Sequence, residues 1–195
     1  MPNKPQLCQS FSDHVLYSSD QLPPKVDFRA AMTLVEDQSR IGSCVANTLA
    51  GAYEYLVKKA NSSEIDVSRL FIYYNGRASD DPSGNLTDSG CSMTKAIETL
   101  EEYGVCLESM WPYDISMVNA RPDQQCYQAA DDYKITEALK IEIDLYQMKS
   151  CLAQGFPFAF GLKLFTSFDK ASKSGIVPMP NDDEQSRESH GSRLL

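Results

Sequence analysis

A cysteine that opens a helix is placed to act as a nucleophile. Gly42-Ser43-Cys44 heads a segment in which Val45, Leu49, Ala52, Tyr53 and Leu56 recur at three- and four-residue steps, the pattern of an amphipathic helix. At such a helix start, unpaired backbone N–H groups and the positive end of the helix dipole stabilise a thiolate. Six residues upstream, Gln38 carries an amide that can donate to the oxyanion formed when a thiolate attacks a carbonyl. Most lone cysteines are only small buried hydrophobes. The combination of helix start, Gly-Ser approach and upstream Gln is what points to nucleophilic chemistry.

The elements that must position this cysteine can be read along the chain. Residues 1–24 are polar, end in Leu22-Pro23-Pro24 and read as an extended lead-in. A helix begins near Ser43. A second, Val67 to Tyr74, follows Asp66 as its N-cap, and the turn-rich stretch Asp80 to Gly90 is a loop. Met93, Ala96, Ile97 and Leu100 mark a helix from Ser92 to Tyr103 that stops at Gly104. Residues 114–134 read as polar and irregular. A β-like segment around Lys134 to Ile143 leads into a short helix from Leu145 to Ala153, ended by Gly155. Phe156 to Leu164 has the apolar, aromatic make-up of a buried strand, residues 165–172 fit no single class, and Asn181 to Glu188 is a charged loop. Helices in the first half and strands in the second predict an α+β protein of two lobes.

Taken together, these segments resemble the papain and cathepsin family of cysteine peptidases. Gln38 followed by Gly42-Ser43-Cys44 matches the approach to that family's nucleophile. Leu22-Pro23-Pro24-Lys25-Val26-Asp27-Phe28-Arg29 is similar to the start of its mature enzymes. Tyr103-Gly104-Val105, then Trp111-Pro112-Tyr113, Phe156 to Gly161 and Gly175-Ile176-Val177 follow in family order. The resemblance spans Leu22 to about His190. It implies a papain-like fold with a lead extension over 1–21, a helical lobe over about 22–113 and a partial β lobe over about 114–195. It also implies hydrolysis of peptide bonds through a Cys44 thioester. By the same resemblance Gly90 and Cys91 sit where the family binds substrate backbone, and Met93 sits where it lines its main specificity pocket. Ile41 stands where the family usually has a cysteine, and Val45 where it has Trp.

A thiol nucleophile needs an imidazole partner. His14 precedes Cys44, the wrong chain order for the family. His190 follows it by 146 residues, inside the roughly 130–150 typical of papain-like enzymes. One register makes His190-Gly191 the family's histidine segment; another sets Gly191-Ser192-Arg193-Leu194 over it and puts Arg193 in the histidine slot. The family's sequence continues past the position of Leu195, so the resemblance implies an incomplete β lobe and little peptidase activity from these residues alone. The alternative is a catalytically inactive papain-like module that binds peptides or a partner.

Composition narrows the partners. Of 195 residues, 42% are hydrophobic and 23% charged, and the net charge is −9. No Lys/Arg cluster offers a phosphate-binding stripe, which argues against nucleic acid, and no apolar run is long enough to cross a bilayer. The expected partner is a peptide or protein substrate. Six cysteines without a C-x-x-C pair, and only two histidines, give no zinc pattern, and no other cofactor is implied. Met1-Pro2-Asn3-Lys4-Pro5 carries no secretory h-region, which predicts cytoplasmic residence with mostly free thiols. The sequons at Asn61 and Asn85 matter only for a secreted chain.

Overall fold

The computed structural model describes residues 9–81 and 83–194, with side chains as far as Ser186. The chain folds around two apolar clusters. The larger is built by three helices: α1 (Cys44–Asn61), α2 (Arg69–Asp80) and α3 (Met93–Glu102). Val45, Leu49, Leu70, Phe71, Ala96 and Leu100 meet there, and burying each of the larger aliphatic and aromatic side chains contributes about 1.5–3 kcal/mol. The expected α1 and α3 are found, α3 with its expected stop: Gly104 sits at φ 77°, while α1, for which no end was read, is closed by Ser62 in the left-handed conformation. A Cβ at Gly104 would stand 2.0 Å from the Ala130 carbonyl oxygen, so only glycine permits that approach.

The second helix differs from expectation at both ends. Its N-cap is Ser68, not Asp66: the Ser68 hydroxyl accepts from the Phe71 N–H and donates to the Trp111 carbonyl oxygen at 2.6 Å. Asp66 and Val67 are instead drawn into an extended pairing, through the Glu108 N–H to the Asp66 carbonyl and a bridge from Val67 to Leu107. The helix also runs on through Gly76 to Asp80. There the missing side chain lets α3 approach, since a Cβ would meet Ala96 Cβ at 3.2 Å and Cys91 Sγ at 3.3 Å.

The stretch 114–134, read as irregular, contains α4 (Gln124–Ala130) between two 3-10 turns. Its Cys126 and Ala130 join the larger core, so that core extends beyond residue 113. The β-like segment from Lys134 contracts to β2 (Leu139–Lys140), which pairs in parallel with β1 (Gln9–Ser10). α5 (Leu145–Ala153) lies where expected, capped by Asp144. β3 (Ala159–Phe165) pairs antiparallel with β4 (Ser186–Leu194), so strand, not loop, begins at Ser186. β3 is only half-buried, and Phe156, expected inside, is 46% exposed with the Lys59 ammonium 4.2 Å from its ring centre. A short α6 (Ala171–Ser174) lies between the two strands, and β3 and β4 both run beside α1.

The lead segment is more than an extended approach. After β1 it turns through a 3-10 helix at Phe11–His14, and Phe11 enters the second cluster with Cys151 and Phe158. The Tyr146 hydroxyl then donates to the Tyr17 carbonyl oxygen. Phe11 is 3% exposed, so Phe11→Ala should cost about 3–5 kcal/mol, whereas Leu16→Ala, at an exposed site, should stay within ~0.5 kcal/mol. Equilibrium urea unfolding of the two variants checks the difference.

Candidate active site

The Gly42-Ser43-Cys44 turn delivers Cys44 to the first position of α1 with its thiol part-exposed. Ser43 precedes the helix without capping it: its hydroxyl makes no bond to the first-turn amides. It is occupied elsewhere, in a chain whose donor directions can be assigned. The Asn47 side-chain amide donates to Ser43 Oγ at 3.0 Å, Ser43 Oγ meets the Tyr113 hydroxyl, and the Tyr113 hydroxyl donates to the Gln38 carbonyl oxygen at 2.8 Å. A tyrosine has one hydroxyl proton; with that proton on the Gln38 carbonyl, the Ser43 hydroxyl must be the donor to Tyr113.

Gln38 and Cys44 line one cavity of about 320 Å³, together with Glu36, Asp37, Asn47 and Arg69. The loop between them is held in shape by local bonds. Asp37 accepts from the Ser39 N–H at 2.7 Å, and Ser39 takes the left-handed conformation at φ 55°, a strained state typical of functional loops. Gln38 Nε2 donates to the Ile41 carbonyl oxygen at 3.1 Å. A side-chain amide has two N–H donors, so this bond fixes the amide while leaving a second donor. Ile41, where a cysteine was expected from the resemblance, is 7% exposed and belongs to the larger core.

Arg69 is the charge at the back of the site. Its side chain is buried between Glu36 at 3.0 Å and Glu108 at 3.5 Å, reaches Asn47 Oδ1 at 3.4 Å, and lies 4.0 Å from the Tyr113 ring centre. Glu108 also accepts from the Tyr113 N–H. Burial pushes the Glu108 carboxyl above the usual carboxylate range, against the pull of Arg69. Sequence reading missed Arg69, Asn47, Glu108 and the role of Tyr113; the arginine within an apolar helix start was the available signal.

Gly90, at φ 81°, donates its N–H to the Tyr73 hydroxyl at 3.0 Å. Cys91 follows, half-buried, with its thiol beside Gly76 and near enough to Cys44 for the two thiolates to oppose each other. Met93 opens α3 and packs against the larger core. His190 and Arg193 both fall in the backbone of β4, opposite Lys163 and Phe160; their side chains lie outside the described residues. His14 is exposed in the lead segment.

Cys44 is part-exposed at the start of a helix, whereas Cys106, Cys126 and Cys151 are buried. Burial pushes Cys91 and Cys106 up to about 12 and Cys151 up to about 11, and Cys126 is buried as well. Dilute iodoacetamide at neutral pH should therefore alkylate Cys44 before any of these four. Mass spectrometry of partially labelled protein reads the order, and equal rates across the set would contradict it.

Comparison with known proteins agrees with this arrangement. The model of the papain family cysteine proteases matches residues 22–194. An uncharacterized peptidase C1-like protein of Acanthamoeba polyphaga mimivirus is 36% identical over 175 residues, which cover 82% of this chain and 56% of that protein. A cathepsin L-like proteinase of Fasciola hepatica is 32% identical over 97 residues, 47% of this chain and 28% of its own length. The chain thus spans little more than half of the first of these relatives and less of the second. Among solved structures, xylellain, a cysteine protease from Xylella fastidiosa, superposes with a TM-score of 0.76 at 36% identity, covering 89% of this chain and 69% of its own. The digestive procathepsin L 3 of Tenebrio molitor shares the fold at 19% identity, with a TM-score of 0.64. Sequence and fold together place this chain in the papain family of cysteine proteases.

Proposed function

We propose that the site is that of a thiol-dependent endopeptidase, in which the Cys44 thiolate attacks a substrate peptide carbonyl. The observation that carries this reading is the shared cavity. Cys44, at the uncapped start of α1, and Gln38, on a loop held in place by Tyr113, open into the same space. When sulfur adds to the carbonyl carbon, the carbonyl electrons move onto oxygen, and the free N–H of the Gln38 amide donates to that oxyanion. The intermediate collapses to a thioester as the C–N bond breaks. His190 is the imidazole assigned to protonate the leaving amine and then to take a proton from the water that hydrolyses the thioester. A bound peptide runs along Gly90 and Cys91. Because the Gly90 N–H is already taken up by Tyr73, the substrate backbone pairs with the main chain of Cys91. Met93, at the start of α3, lines the pocket for an apolar substrate side chain. Partner and substrate are thus one class: an extended peptide or protein segment.

Acylation by an activated ester tests the nucleophile without requiring a protonated leaving amine. A peptidyl p-nitrophenyl ester should give a burst of nitrophenol stoichiometric with protein, abolished in Cys44→Ser. Gln38→Ala should slow the burst by about 10²–10³ with little change in melting temperature. A burst that survives Cys44→Ser, or no burst at all, would sink the assignment.

A further inference from the structure

On either side of Cys44 the chain must hold two loops at a set distance: the turn that carries the thiol, and the segment at Gly90-Cys91 that receives the peptide. Neither belongs to a helix or strand. A single carboxylate joins them. Asp88 Oδ1 accepts from the Gly42 N–H at 2.8 Å and from the Tyr73 hydroxyl at 2.6 Å. The Tyr73 oxygen in turn accepts from the Gly90 N–H at 3.0 Å. The proton directions are fixed, because a carboxylate only accepts and the one tyrosine proton points to it. Two main-chain amides, two residues before the nucleophile and one residue before Cys91, therefore end on the same negative charge.

The surroundings support this junction from both sides. The Tyr73 residue is fully buried in the larger core, so its hydroxyl is a fixed post. The Arg77 guanidinium lies 3.9 Å from the Tyr73 ring centre and donates to the Thr87 carbonyl oxygen at 2.7 Å and to Asn119 Oδ1 at 2.7 Å. It thereby pins the residue just before Asp88. The approach at Gly42 is close: a Cβ there would stand 3.0 Å from the Tyr73 hydroxyl, 3.1 Å from the Gly90 nitrogen and 3.3 Å from Asp88 Oδ1. A side chain there would make these neighbours give way by a few tenths of an ångström, so glycine suits the close approach of the two loops.

We propose that Asp88 is a positioning residue for peptide hydrolysis: through Tyr73 it holds the Gly90-Cys91 segment in register with the Cys44 turn, and so sets the span between nucleophile and bound peptide backbone. The inference rests on the peptidase reading of Cys44. Asp88 itself is exposed, and it acts through two amides, the Gly42 N–H directly and the Gly90 N–H by way of Tyr73. Hydrogen bonds to an ionised acceptor are about twice as strong as neutral ones, which suits one side chain to fixing two loops. The bonds use no thiol, so the junction holds in reducing and oxidising surroundings alike.

The test compares the wild-type chain with Asp88→Ala, Asp88→Asn and Tyr73→Phe in two readouts. The first is amide hydrogen exchange at Gly42 and Gly90 by NMR. Asp88→Ala should speed both by about tenfold or more. Tyr73→Phe should speed Gly90 alone, and Asp88→Asn, which keeps an acceptor oxygen, should recover most of the protection. The second is the rate of Cys44 alkylation by a dipeptidyl epoxide, which must pair with Cys91, relative to iodoacetamide, which need not. Asp88→Ala and Tyr73→Phe should each lower that ratio about tenfold, and Asp88→Asn should restore it. Unchanged exchange at both amides in Asp88→Ala would overturn the proposal, as would epoxide and iodoacetamide rates that fall together. If the wild type takes up no epoxide, the peptidase reading fails, and exchange alone then decides whether the junction exists.

Discussion

The site depends on one buried positive charge. Arg69 enters at the first turn of α2 and is stripped of water on all but a small part of its side chain, between Glu36, Glu108 and the face of Tyr113. Removing one partner of a buried ion pair costs about 3–5 kcal/mol, because the remaining charge is left without compensation. That penalty ties together three segments remote in sequence: the loop before Cys44, α2, and the stretch from Glu108 to Tyr113. Asn47 extends the tie into α1, since its oxygen faces Arg69 while its amide donates to Ser43.

From that charge the placement of Cys44 follows by hydrogen bonds with defined direction. Tyr113 is held by Glu108 at its N–H and by Arg69 at its ring, and its hydroxyl then holds the Gln38 carbonyl. Ser43, caught between Asn47 and Tyr113, does not cap the helix, which leaves the start of α1 to the thiol beside it. On the opposite side, Asp88 grips Gly42. The turn that carries Cys44 is thus held by Tyr113 at the Gln38 carbonyl and the Ser43 hydroxyl, and by Asp88 at the Gly42 amide. A loop with no regular structure of its own is thereby held in place, as the proposed role of Cys44 requires, since a displacement of ~1 Å can cost ~100-fold in such chemistry.

Much of this was legible in the sequence where the signal is local. The start of α1 and the bounds of α3 and α5 follow from apolar spacing and stop residues, and Cys44 with Gln38 is marked by a short motif. What escaped reading is what only tertiary contact decides. Ser68 displaces Asp66 as a cap because Trp111 supplies a carbonyl for it. Gly76 lies inside α2, and its missing side chain lets α3 come close. Gln124 to Ala130 looks like polar surface, yet one face of it is core. Phe11 sits in a polar stretch but meets a second cluster far along the chain. Asp88 is 46 residues from Gly42 and 15 from Tyr73, so no window of sequence shows the three as a unit.

The most direct test of the account is the structure of the chain after reaction with a dipeptidyl epoxide, solved by crystallography. The account predicts a thioether on Cys44 Sγ, a peptide backbone paired with the main chain of Cys91, and the Gln38 amide still bonded to Ile41 while its second N–H turns toward the adduct. An adduct on Cys91 or on a buried thiol, or a peptide lying away from the Gly90 segment, would contradict it.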